Sequence, residues 1–187
     1  QVLKVLLVED NPGDAFLIKF YMSESTNPVF EVDHAEDMKT AIDLLSKSNY
    51  DIILTDMNLP DSFGIDTLKT IVSNFPGNLV IVLTGFSDEE VGLETVRYGA
   101  QDFLVKGKFD GKVLVSTVMF AFERFKLNKQ IDKYSKQLLD KSARFDNLQR
   151  ILRKGYVEVN FDKGEVYWSG IALEILELGS HHKYVPL

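Results

Sequence analysis

Five short runs of β-branched and aliphatic residues, each followed by a segment long enough for a helix, constrain this chain more than any other feature. They are Leu3 to Val8, Val29 to Val32, Ile52 to Leu54, Leu79 to Leu83 and Phe103 to Val105. Runs of this length read as strands, and strands alternating with helices specify a parallel sheet wrapped on both faces. The near-continuous apolar character of VLKVLLV, DIILT and LVIVLT fits central strands buried on both sides. Helices are expected over residues 13–24, 36–47, 65–74, 88–98 and from 110 onward, with Asp88 and Asp110 as N-caps. The expected fold class is therefore α/β, a doubly wound five-stranded parallel sheet.

In such a sheet, ligands bind beyond the carboxyl ends of the strands, where the strand order reverses. The polar residues at those ends are Glu9 and Asp10 after the first run, Asp56 after the third, Thr84 after the fourth and Lys106 after the fifth. Four chain segments thus deliver three carboxylates, a hydroxyl and an amine to one edge. Three converging carboxylates repel one another, and a partly buried cluster persists only with a proton or a cation. Oxygen donors without histidine or cysteine favour Mg²⁺, which keeps several waters and takes one or two carboxylates directly. A carboxylate nucleophile in that setting forms an aspartyl phosphate, with a lysine and a hydroxyl to meet the phosphoryl oxygens. Taken singly, an acidic residue at a strand end reads more readily as a solvated turn residue or cap, Thr84 as a strand residue and Lys106 as a surface charge; the combination reverses this and favours chemistry.

VLLVEDNPGD, DIILTDMNLPDSFGIDTL, VIVLTG and GAQDFLVKG resemble the successive motifs of response-regulator receiver domains, across about residues 1–125. The resemblance implies a flavodoxin-like receiver of a two-component phosphorelay, phosphorylated by a sensor histidine kinase or phosphotransfer protein. It implies that Asp56 is the phosphoacceptor, that Asp10, Asp56 and the backbone carbonyl of Asn58 ligate Mg²⁺, and that Glu9 acts through water. By the same resemblance Lys106 pairs with the phosphoryl group, Thr84 bonds it on activation, and Phe103 is the aromatic whose rotation accompanies switching. The chain departs from the family at Lys106-Gly107, where receivers carry Lys-Pro with a cis peptide. A cis bond before a residue other than proline costs about 2.5 to 4 kcal/mol, so a trans peptide is expected here.

The alternative is a phosphatase of the haloacid dehalogenase type, which also uses an aspartate nucleophile, Mg²⁺, Thr or Ser, and Lys. Such enzymes place a general acid–base aspartate two residues after the nucleophile and put the nucleophile on the first strand. Here the position is Asn58, which cannot titrate, and the run is the third. A dinucleotide-binding site is disfavoured because EDNPGD has one glycine and two acids facing the place of a pyrophosphate. Nor does a histidine kinase fit, since His34, His181 and His182 all lie off the long helix and read as core or surface residues. The receiver itself is expected to have no enzymatic output; any such domain would lie beyond residue 187.

From Asp110 to about Lys154 there is no proline, so one helix can span about forty residues, roughly 65 Å. Its stripe of Leu127, Ile131, Tyr134, Leu138, Lys141, Phe145, Leu148 and Leu152 keeps 4,3 spacing with only Lys141 polar. A homodimeric parallel coiled coil through residues 127–152 is expected. Charge supports a distinct segment: residues 1–122 carry 9 basic and 19 acidic groups, residues 123–154 carry 10 and 4, and residues 155–187 carry 2 and 5. The basic excess of the middle segment is read as the solvated outer face of the coil. The net charge of −7 argues against a nucleic-acid partner.

After Gly155, YVEVNF and EVYWS flank Asp162-Lys163-Gly164, a hairpin signal, with a short helix expected over Ala172 to Leu178. This tail, residues 155–187, resembles the opening of a PAS domain and is expected to belong to a longer module, as the absence of an initial methionine also suggests. The expected organisation is a receiver (1–125), an extended fifth helix or coiled-coil linker (110–154) and a partial PAS-like segment (155–187). No run of about eighteen apolar residues or secretory leader occurs, and cysteine is absent, so no membrane partner and a cytoplasmic location are expected.

Overall fold

The computed structural model describes residues 1–85, 94–178 and the backbone of 184–186. The chain divides into two compact units, Gln1–Asn128 and Lys129–Leu187.

In the first unit the chain runs β1 (Val2–Val8), α1 (Pro12–Ser23), β2 (Val29–Ala35), α2 (Met38–Lys47), β3 (Ile52–Asp56), β4 (Asn58–Leu59), β5 (Ser62–Phe63), α3 (Ile65–Asn74), β6 (Leu79–Thr84) and β7 (Asp102–Val105), then enters α4 (Gly111–Leu152). The long strands form one parallel sheet in the order β2-β1-β3-β6-β7, so the chain reverses direction across the sheet at β1 and β3. Alternation sends Leu3, Val5, Leu7, Ile52, Leu54, Leu79 and Ile81 to a core under α1 and α4. Leu6, Val8, Ile53, Val80 and Val82 face a second core under α2 and α3. Burial on both faces explains why these strands read as unbroken apolar runs.

Boundaries differ from expectation by one to three residues, the largest difference being β2, which continues past Val32 to Ala35 in register with Val8 of β1. Helix α2 begins at Met38 because Asp37 stays extended and its side chain accepts from the Thr40 N–H. Strand β7 begins at the charged Asp102, which pairs in register with Ile81. Asp110 caps α4, accepting from the Val113 N–H at 2.9 Å. The expected cap Asp88 and the start of its helix lie outside the described residues, though residues 94–97 are helical. The Lys106-Gly107 peptide is trans, and Gly107 takes a φ of 77°, a region where glycine is at no steric disadvantage.

The second unit holds the rest of α4, then β8 (Val157–Asn160), β9 (Glu165–Trp168), α5 (Gly170–Ile175) and β10 (Tyr184–Pro186). The hairpin forms as expected, with Gly164 at φ 62°, and β10 adds a third antiparallel strand beside β9. Helix α5 is not Ala172 to Leu178 but starts two residues earlier, because Ser169 Oγ accepts from the Ala172 N–H at 3.2 Å. It stops early because Glu177 adopts a positive φ of 54°.

Candidate functional site

Four loops at the carboxyl edge of the sheet bring the predicted residues together. Glu9 and Asp10 follow β1, Asp56 ends β3, Thr84 ends β6 and Lys106 follows β7. Glu9, Asp10 and Asp56 each offer a carboxylate oxygen, and these oxygens all lie within 4.8 Å of one another. Glu9 is fully buried, Asp56 is 7% exposed and Asp10 faces solvent.

Lys106 balances this charge. Its Nζ lies 2.5 Å from Asp56 Oδ2, 2.6 Å from Glu9 Oε2 and 3.2 Å from Asp14 Oδ2. The contact to Asp56 is a hydrogen bond. Glu9 Oε2 is an ion-pair partner of the ammonium but lacks the alignment of a hydrogen bond, so its acceptor capacity is unfilled. The other oxygens are held by the backbone: Asn11 N–H donates to Glu9 Oε1 at 3.2 Å, and Asn58 N–H to Asp56 Oδ1 at 3.1 Å.

Burial pushes the Glu9 carboxyl up to about 7, against the opposing pull of Lys106. Burial works to lower Lys106, but the carboxylates of Asp56 and Glu9 beside it outweigh that and hold it above the ordinary lysine range. One lysine therefore does not fully neutralise the carboxylates. This unmet demand for positive charge, on oxygen donors alone, fits a hard divalent cation such as Mg²⁺.

Thr84 Oγ1 is buried and has no hydrogen-bond partner among the described residues, which is costly unless a ligand supplies an acceptor. Phe103 is half-buried against the core under α2 and α3. Asn58 is exposed and lies in the small β4–β5 hairpin. That hairpin is fixed at three points. Thr67 Oγ1 donates to the Met57 carbonyl at 3.0 Å and is hydrogen-bonded with the Ser62 hydroxyl at 2.9 Å. Asp61 accepts from the Met38 and Lys39 N–H groups at the start of α2, at 2.9 and 3.0 Å.

Asp14 and Asp61 were not among the predicted site residues. The signal for Asp14 was an acid in the first turn of the helix that follows the Glu9-Asp10 pair. Asp61 lies five residues after Asp56, but nothing in its local sequence reveals that it meets α2.

Residues 5–119 match the response regulator receiver domain family. The Caulobacter vibrioides protein named cell cycle transcriptional regulator CtrA is 26% identical over 99% of this chain and 73% of its own length. Response regulator protein PilR of Pseudomonas aeruginosa is 30% identical over 62% of this chain, a stretch that is 26% of PilR. Among solved structures, the signal receiver domain of a protein described as a LuxO repressor, from Vibrio parahaemolyticus, superposes with a TM-score of 0.61 at 30% identity, covering 70% of this chain and 98% of that one. NtrX from Brucella abortus, at 23% identity, shares the fold with a TM-score of 0.64 over 72% of this chain and 30% of its own. The phosphatase alternative finds no support in these likenesses, and the position it needs for an acid–base aspartate holds the exposed amide of Asn58.

Proposed function

Because the chain belongs to the response-regulator receiver family, we propose that Asp56 is the residue that accepts a phosphoryl group from a partner histidine kinase or phosphotransfer protein. The observation that carries this reading is the pairing of Asp56, buried at the end of a central strand, with Lys106 fifty residues away, beside a buried Thr84 hydroxyl with no partner among the described residues.

An Asp56 carboxylate oxygen attacks the phosphorus, the bond from phosphorus to the donor's nitrogen breaks, and the donor leaves as a neutral imidazole after taking a proton. Lys106 keeps its charge throughout and moves its bond from the carboxylate to a phosphoryl oxygen. Thr84 Oγ donates to a second phosphoryl oxygen, filling the bond it lacks. Asp10, Asp56 and the Asn58 carbonyl would hold Mg²⁺, with Glu9 beside them, and the cation would supply further charge neutralisation to the phosphoryl oxygens. Movement of Thr84 toward the phosphoryl group makes room for Phe103 to turn inward, which carries the signal toward α4.

Asn58 cannot act as general acid or base, so the acyl phosphate persists long enough to serve as a signal. Incubation with acetyl phosphate and Mg²⁺ gives a stable adduct of about 80 Da under this reading. Rapid release of phosphate without an adduct contradicts it and returns the phosphatase.

Output passes through α4. Leu127, Ile131, Tyr134, Leu138, Phe145, Leu148 and Leu152 are all more than half exposed, which supports self-association through residues 127–152. Residues 155–187, with their hairpin and short helix, form the PAS-like segment of this reading. The acidic edge of the receiver disfavours contact with a nucleic-acid backbone there, and among the described residues no helix is long and apolar enough to cross a membrane.

A further inference from the structure

Residues 1–128 contain one histidine, His34, to which the phosphoryl chemistry gives no part. Side chains alternate along β2, so His34 shares a face with Phe30 and Val32, which pack with the core under α1 and α4. An apolar residue would continue that row. Instead the half-buried imidazole places Nε2 2.8 Å from the backbone carbonyl oxygen of Glu9. A carbonyl oxygen only accepts, so Nε2 carries the proton and donates it.

That bond stands where the pairing of β1 with β2 runs out. The Glu9 N–H still donates to the Ala35 carbonyl, at 2.9 Å. Past Ala35 the chain leaves the sheet, and Asp37 turns to cap α2. The next group along the edge is the Glu9 carbonyl, in a fully buried residue, where an unpaired carbonyl is costly. The imidazole supplies the donor that the strand no longer offers.

We propose that His34 is a positioning residue for Asp10. The inference rests on reading Asp10 as a ligand of Mg²⁺ and deepens that reading. The Glu9 carbonyl and the Asp10 N–H belong to one planar peptide unit, so fixing the carbonyl fixes the plane from which Asp10 departs. On the other side of Asp10, the Asn11 side chain accepts from the Gly13 and Asp14 N–H groups at 2.9 and 3.3 Å and ties the loop to the start of α1. Asp10 is thus a single exposed residue between two anchored neighbours. Its carboxylate lies within 4.8 Å of those of Glu9 and Asp56, and their repulsion favours its escape into solvent unless the backbone holds it. A loop ordered in advance does not have to be ordered by the cation, which raises affinity without adding a ligand.

Two variants of the full chain separate the hydrogen bond from packing. His34→Leu keeps an apolar side chain in the row and loses the donor, whereas His34→Gln keeps a donor of similar reach; His34→Val replaces the first should it fail to fold. Titrated with MgCl₂ in a calorimeter, His34→Leu is expected to bind about tenfold more weakly than wild type and His34→Gln within about threefold. In phosphorylation by acetyl phosphate, His34→Leu should need about tenfold more Mg²⁺ for half-maximal rate and reach the wild-type rate at saturation. A readout without metal is NMR in EDTA at about pH 8.5, where histidine is neutral. There His34 should show the Nε2–H tautomer, and the Asp10 amide resonance should move in His34→Leu but stay near its wild-type position in His34→Gln. Wild-type Mg²⁺ affinity in His34→Leu, equal weakening in both variants, or an Nδ1–H tautomer in the wild type overturns the inference while leaving Asp10 as a ligand. Absence of Mg²⁺ binding by the wild type overturns the reading of Asp10 and the inference with it.

Discussion

Replacing Glu9 by Gln should flatten the dependence of stability on pH in the absence of divalent cations. Burial raises the Glu9 carboxyl from 4.5 to about 7 in the folded chain. The folded state therefore holds this proton more tightly than the unfolded chain does, so stability from this group is complete below the unfolded value and is lost as pH rises through about 7. Fully expressed, the difference is worth roughly 3 kcal/mol, and between about pH 5 and pH 7 the loss is about 2 kcal/mol. For a unit of this size that lowers the melting temperature by about 5 to 8 °C. The assay is thermal unfolding in EDTA across that range, followed by far-UV ellipticity because Trp168 lies in the second unit. Other carboxylates contribute their own slopes, so the informative quantity is wild type minus Glu9→Gln. That difference curve should fall with rising pH; a flat or rising curve refutes the account of Glu9 as a buried, under-neutralised carboxyl.

Thr84→Ala should accept phosphate nearly as fast as wild type yet lose the accompanying NMR shifts around Phe103, since the hydroxyl bonds the phosphoryl group only after arrival; identical shifts in both proteins count against the switch. Asp61→Ala should cost about 1 kcal/mol by freeing the start of α2 and should weaken Mg²⁺ binding measured by calorimetry, because the hairpin carrying the Asn58 carbonyl loses one of its fixings. Unchanged Mg²⁺ affinity contradicts that link. Joint replacement of Ile131 and Leu138 by Asp should give a monomer in sedimentation, as each chain brings two carboxylates into an apolar stripe; a persistent dimer places the contact elsewhere.

The sheet was legible because β1, β3 and β6 are buried on both faces, so their apolar runs are unbroken and their ends are marked by the first polar residue. For the same reason Glu9, Asp56, Thr84 and Lys106 stood out: a polar side chain ending a buried strand is necessarily at the rim of the sheet. What could not be read depends on contacts between distant segments. Asp61 looks like an ordinary turn residue until α2 is placed beside it, and Asp14 looks like a solvated helix residue until Lys106 reaches across. Strand β7 was read one residue short because charge hides Asp102, whose side chain meets Arg124 of α4. Strand β10 carried too little local pattern to anticipate, and only its pairing with β9 defines it.

The central claim concerns one carboxylate, and peptide mapping after phosphorylation addresses it most directly. Wild type and Asp56→Asn are each incubated with acetyl phosphate and Mg²⁺, and the acyl phosphate is trapped by borohydride reduction before digestion and mass spectrometry. The account predicts that reduction marks Asp56 in the wild type and that Asp56→Asn, still folded by ellipticity, takes up no phosphoryl group. A modification found on Asp10, Asp14 or Glu9 in the wild type, or an undiminished adduct in Asp56→Asn, contradicts it.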